Sequence, residues 1–181
     1  KSRFLMNNSY NRTVIHKKPR FIRRSRGYVP EPIHCEISGQ TPILAMGSDL
    51  KNAFAMNKGS EVLVGPHIGD LQNASTHATL EWTIDRYEKL FSIQPEKIIV
   101  DSHPQFFSSH LGERIGKSSQ ISVIPVQHHH AHIASVMAEH NLEGPVLGIA
   151  MDGTGYGPDG SVWGGEFLLC KGNEYQRLAH I

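Results

Sequence analysis

Two cysteines in 181 residues, Cys35 and Cys170, provide no disulfide framework and no thiolate zinc site. Nor is there a run of about eighteen apolar residues, which excludes a membrane-spanning helix of ordinary length. The opening stretch from Lys1 to Tyr10 has no apolar core of the kind a secretory leader needs, so a reducing cytoplasm is the expected setting. Acidic residues are absent from the first thirty positions, which hold nine of the eighteen Lys and Arg. From Glu31 onward nine basic residues face seventeen acidic ones. The net charge of +1 therefore conceals a basic arm joined to an acidic body. The arm is densest between Arg20 and Pro30, where arginines interleave with Phe21 and Tyr28. That pattern suits nucleic acid, but arginine forks suit a small phosphate compound equally well. Small-phosphate binding, or packing of the arm onto the acidic body, is favoured over nucleic acid.

What the chain does have is histidine in one place. Gln127-His128-His129-His130-Ala131-His132 follows the strand-like run Ile121 to Val126 and precedes a stretch in which Ile133, Val136, Met137 and His140 recur at helical spacing. Residues four apart project from one helix face, so His128 and His132 can direct two imidazoles at one divalent ion. His129, His130 and His140 read as a solvated surface face. About twenty residues later the strand Val146 to Asp152 ends in a carboxylate followed by Gly153-Thr154-Gly155-Tyr156-Gly157, a turn whose backbone N–H groups could hold a phosphate.

The rest of the pattern is α/β. Pro30, Pro32 and Pro42 mark a boundary. Beyond it, Pro42 to Met46 reads as a strand, Gly47-Ser48-Asp49 as a turn, Lys51 to Met56 as a second strand or half-strand, and Glu61 to Val64 as a third. Leu80, Ile84, Tyr87 and Phe91 define an amphipathic helix with Ser75 or Thr76 available as its cap. Ile98 to Asp101 and Ile121 to Val126 are β-branched and strand-like, with no helix expected between them. Val146 onward loosely repeats the plan of Pro42 to Met56, with strands from Trp163 to Leu169 and Tyr175 to Ile181. Two hairpin-led lobes facing a cleft are the plan of the actin-like ATPases, also called RNase H-like. The second lobe is expected to be incomplete, its sheet lacking a covering helix. Residues 1–30, 31–144 and 145–181 are the expected units.

Five ordered motifs carry a resemblance: Arg23 to Pro30, Pro66 to Leu71, Asp101-Ser102-His103-Pro104, Val126 to Ser135, and Asp152 to Gly157 continuing through Trp163 to Phe167. Together they resemble the HypF carbamoyltransferases of nickel–iron hydrogenase maturation, from the end of a YrdC-like domain into a TsaD-like domain. The resemblance implies a two-stage reaction. ATP, with Mg, and carbamoyl phosphate yield carbamoyl-adenylate, and the carbamoyl group then passes to the C-terminal cysteine of a HypE-like acceptor as the precursor of a cyanide ligand.

The resemblance also implies roles. His128 and His132 match two ligands of a mononuclear iron or zinc site, whose completing carboxylate is expected beyond Ile181. Asp152, Gly153, Thr154, Gly155 and Gly157 match a phosphate-side loop. Lys51 is a candidate phosphate contact, and Asp101 and His103 candidates for lining the cleft or supporting a ligand imidazole. Arg23, Arg24 and Arg26 suit a phosphate or inter-domain contact, while Trp163 and Phe167 suit the core. A dependence on YrdC-like and second-lobe segments outside the chain is expected. The alternatives are an actin-like phosphotransferase using ATP directly, and a noncatalytic metal- or partner-binding fragment.

Overall fold

The computed structural model describes residues 31–36, 39 and 41–181, together with the backbone of residues 12–15 and 18–21. In the basic arm the backbone of β1 (Arg12–Ile15) pairs antiparallel with β2 (Lys18–Phe21). The expectations for Arg23, Arg24 and Arg26 lie outside the described residues.

Six strands form the main sheet: β3 (Ile33–His34), β4 (Ile43–Ala45), β5 (Ala55–Lys58), β6 (Glu61–Val64), β7 (Lys97–Asp101) and β8 (Ser122–Val126), in the order β3-β6-β5-β4-β7-β8. The first four pair antiparallel, whereas β4, β7 and β8 run parallel. Two helices pack with them, α1 (Ala74–Phe91) and α2 (Phe107–Ser119). Leu44, Met46, Phe54, Ile98 and Val100 from the sheet region form one buried cluster with Leu80, Ile84 and Tyr87 of α1 and Leu111 of α2. Each such side chain contributes about 1.5–3 kcal/mol by leaving water.

Helix α2 is absent from the pattern expected of the sequence. Parallel strands need a crossover, and α2 supplies it between β7 and β8. Its signal is muted by Gly112, Gly116 and four serines, all weak helix formers. The glycines are there for contact: a Cβ on Gly112 would stand 2.5 Å from Val100 Cγ1, and one on Gly116 would collide with Val123. No side chain at the cap position Phe106 closes the helix. Asp49 does so from the β4–β5 turn, accepting from Phe107 N at 2.8 Å and Ser108 N at 2.9 Å.

Two smaller departures have local causes. The second strand begins only at Ala55, because Lys51 adopts a left-handed backbone with φ 51 and the Asn52 amide closes the turn onto the carbonyls of Met46 and Ser48. The cap of α1 is Asn73, two residues before Ser75, and its side chain accepts from Ser75 N and Thr76 N.

A second sheet, ordered β13-β12-β9, consists of β9 (Val146–Ala150), β12 (Glu166–Lys171) and β13 (Glu174–His180), all antiparallel. Between β9 and β12 the small hairpin of β10 (Gly155–Tyr156) and β11 (Val162–Trp163) closes the glycine-rich loop. This sheet does not lack a helix. Helix α3 (His128–Glu139) lies on it, Ile133 and Met137 packing with Ala150, Trp163, Leu168 and Cys170. Gly148 makes the approach possible, since a Cβ there would strike Ile133. The helix that follows the first sheet thus rests on the second, and its first turn stands between the two.

Candidate functional site

The histidines take opposite parts according to helix phase. His129 is fully buried and His130 nearly so, where a solvated face was expected, and burial lowers the pKa of both. His128 and His132 face outward on one side of α3, with ring centroids 4.8 Å apart. Gln127 fixes the first turn: its side-chain oxygen accepts from His130 N at 2.9 Å, and its Nε2 donates toward Tyr156 O at 3.3 Å.

A carboxylate completes the pair from within the chain. Asp152 Oδ2 lies 2.8 Å from His128 Nε2 and 3.5 Å from His132 Nε2, and the two imidazole nitrogens are 3.2 Å apart. Tetrahedral ligands at zinc-like bond lengths of about 2.0–2.1 Å would be separated by about 3.3 Å. The three atoms therefore suit one small divalent ion with little rearrangement, and among the described residues they are the one group of three side chains so disposed. Asp152, expected on the phosphate side with the completing carboxylate elsewhere, lies instead against the two histidines.

Behind His128 stands Asp101, at the end of β7. Its Oδ2 is 2.9 Å from His128 Nδ1, and its Oδ1 accepts from His103 N at 2.9 Å. Hydrogen bonding to Asp101 raises the His128 pKa, opposed by burial and aided by Asp152. Burial would raise the pKa of Asp152, but hydrogen bonds from His128 and Gly153 N outweigh it and the net shift is downward.

These groups open onto a cavity of about 1210 Å³. Lys51, Asp101, His103, Asp152, Thr154 and Gly155 all line it with His128 and His132. The His103 ring stacks on Phe106 at 4.1 Å and meets the edge of Tyr156 at 5.5 Å. Gly153 and Gly157 are placed differently. Gly153 N is bonded to Asp152 Oδ1, and Gly157 N to Ser161 O as part of the hairpin turn against Trp163.

The match to known proteins follows the same residues. The HypF Kae1-like domain matches residues 38–139, and the second subdomain of the carbamoyltransferase Kae1-like domain matches residues 148–181. The chain belongs to the HypF carbamoyltransferase family. It is 44% identical over 169 residues to carbamoyltransferase HypF of Synechocystis sp., an alignment covering 93% of this chain and 22% of that protein. The crystal structure of a full-length HypF in the phosphate- and nucleotide-bound form superposes with a TM-score of 0.85 at 45% identity, covering 94% of this chain and 26% of that one. T. kodakarensis HypF gives 0.82 at 38% identity, covering 94% and 22%. The fold is accordingly the α/β, actin-like or RNase H-like fold of these proteins. The chain spans about a fifth of the length of the curated relatives it matches. No helix among the described residues is long and apolar enough to cross a membrane.

Several residues of the site's frame were not singled out in the sequence. Asp49 and Asn52 hold the turn beside Lys51, and Glu166 with Arg177 stands behind the Asp152 loop. Asp49 left a trace as an acidic turn residue and Glu166 as a member of the Trp163 to Phe167 motif, but the helix that Asp49 caps has no clear signal of its own.

Proposed function

We propose that this chain is the metal-bearing part of a carbamoyltransferase of nickel–iron hydrogenase maturation, working in the cytoplasm. The reading rests on one observation above all: His128, His132 and Asp152 converge at ligand spacing while Asp101 anchors the far nitrogen of His128. Such a carboxylate–histidine arrangement orients an imidazole and raises its basicity. Iron or zinc held there would supply positive charge against the developing negative charge of an acyl-transfer reaction.

In that reaction ATP, with Mg, carbamoyl phosphate and one water provide carbamoyl-adenylate, with phosphate and pyrophosphate released. The thiolate of the C-terminal cysteine of a HypE-like acceptor attacks the carbamoyl carbon, the bond from that carbon to the phosphate oxygen breaks, and AMP leaves. The product thiocarbamate is the precursor of a cyanide ligand. The side chains of the cavity divide the remaining work. Asp101 holds His128 in one tautomer, and Lys51, which also lines the cavity, offers a cation to the phosphate. His103, fixed by its Phe106 stack and its N–H to Asp101, gives a rigid polar edge beside the reacting group. Thr154 and Gly155 of the turn after Asp152 bound the phosphate side, while Gly153 and Gly157 shape the turn. Adenylate formation is assigned to the YrdC-like segments that the resemblance implies, and further second-lobe segments complete the cleft.

Mass spectrometry of the acceptor cysteine tests this. Supplied with ATP, Mg and carbamoyl phosphate, the chain joined to the flanking segments of a relative should carbamoylate the cysteine, and the same assembly carrying His128→Ala should not. Transfer by the 181-residue chain alone, or transfer undiminished by His128→Ala, would contradict the proposal.

A further inference from the structure

Glu166 is the one carboxylate among the described residues with no exposed surface. It begins β12 and accepts from Arg177 of β13 through Nε at 2.6 Å and Nη2 at 2.8 Å. A buried ion pair is a weak source of stability, because removing two charges from water offsets most of their attraction, and apolar residues of similar volume often serve as well. This pair does something an apolar pair could not. Glu166 Oε1 also accepts from Gly164 N at 2.9 Å. Next to it, Gly165 N donates to the carbonyl of Asp152 at 3.0 Å. Gly164 lies so close against Gly153 that a Cβ would strike the Gly153 carbonyl.

The other half of the pair grips the tip of the same loop. The Arg177 guanidinium sits 4.1 Å from the centroid of the Trp163 ring. Trp163 Nε1 donates to Asp159 at 3.0 Å, and Gly157 rests directly on the indole. Both limbs of the loop from Asp152 to Gly165 are therefore held from the second sheet.

We propose that the Glu166–Arg177 pair is a positioning device that fixes the Asp152 carboxylate against the two imidazoles through Gly164 and Gly165. The proposal rests on the metal reading of His128, His132 and Asp152 for its functional consequence. Neither residue touches the ion; both act through the loop backbone.

The test is Co(II) titration of the 181-residue chain, followed by its visible spectrum, in the wild type and in the double variant Glu166→Met/Arg177→Met. That variant keeps the apolar volume and removes both charges together, the buried one of Glu166 and the part-exposed one of Arg177, so the thermal midpoint should hold while the acceptor for Gly164 N is lost. Co(II) affinity should fall about 10- to 100-fold, the range seen when outer-shell partners are removed, with an altered spectrum. Wild-type affinity and spectrum in a folded double variant would overturn the proposal. Should the double variant not fold, hydrogen exchange in Glu166→Gln decides: exchange at Gly165 N should quicken while the β9 amides keep their protection, and unchanged exchange at Gly165 overturns the idea. Absence of Co(II) uptake by the wild type would overturn the metal reading separately. The Gly165 exchange and the Nε2 chemical shift of His128 in metal-free protein would then still decide whether the pair holds Asp152 in place.

Discussion

Asp101 Oδ2 lies 2.9 Å from Nδ1 of His128, on the side of the ring away from His132 and Asp152. The imidazole is thereby anchored at one nitrogen and presented at the other. Replacing Asp101 by Asn keeps the shape and removes the charge. Asp101→Asn should weaken divalent-metal affinity about 10- to 100-fold with the fold retained, as measured by calorimetric titration. Undiminished affinity would make Asp101 a packing residue only.

The two neighbouring glycines after Asp152 should separate cleanly. A Cβ on Gly155 would stand 2.6 Å from His129 Cε1 and 3.0 Å from His128 Cβ, whereas nothing lies within 4 Å of one on Gly153. Gly155→Ala should therefore lower the thermal midpoint, at about 1–3 kcal/mol for overpacking. Gly153→Val should leave that midpoint alone and weaken binding of a nonhydrolysable carbamoyl-adenylate analogue. Equal stability of the two variants would refute the close packing of the loop on α3.

Gly112→Ala offers a similar reversal on α2. Alanine is the better helix former by about 1 kcal/mol, yet its Cβ would enter the van der Waals space of Val100, Met46 and Ile98. Denaturant unfolding should show net destabilisation. A stabilised variant would mean that α2 can move off the sheet.

The proton and the metal compete for His128 Nε2. Hydrogen bonding to Asp101 raises the folded-state pKa of this histidine above the ordinary value of about 6.5, so its ionised form stabilises the metal-free fold fully below that value. This contribution is lost as pH rises through the raised folded pKa. Over the same window metal affinity should climb, because fewer protons are displaced per ion bound. Titrations at pH values rising from about 6.5, the ordinary histidine value, should show tighter Co(II) binding with rising pH. A flat profile would exclude His128 as a ligand.

The parts of this architecture that announce themselves in sequence are those with strong periodicity. The alternation of Ile98 and Val100 in β7, the spacing of Leu80, Ile84 and Tyr87 in α1, and the His128–His132 step each depend only on neighbours a turn or two away. Contacts across long stretches of chain left no such mark. Gly112 and Gly116 look like helix breakers until Val100 and Val123 are seen beneath them. Asp49 reads as a turn residue until α2 is placed on it. Asp152 could be assigned to phosphate from its glycine-rich sequel alone; only the packing of α3 on the second sheet brings it to the imidazoles. The Glu166–Arg177 pair likewise depends on the register of β12 with β13.

The central claim is that His128, His132 and Asp152 bind one ion together, and metal stoichiometry by mass spectrometry under native conditions tests it most directly. The wild-type chain should carry one equivalent of divalent metal. His128→Ala, His132→Ala and Asp152→Asn should each lose ordered binding rather than a fraction of it, while His129→Ala, at a fully buried position, should lose stability and keep the ion. One equivalent retained in both His128→Ala and Asp152→Asn, or lost only in His129→Ala, would contradict the account.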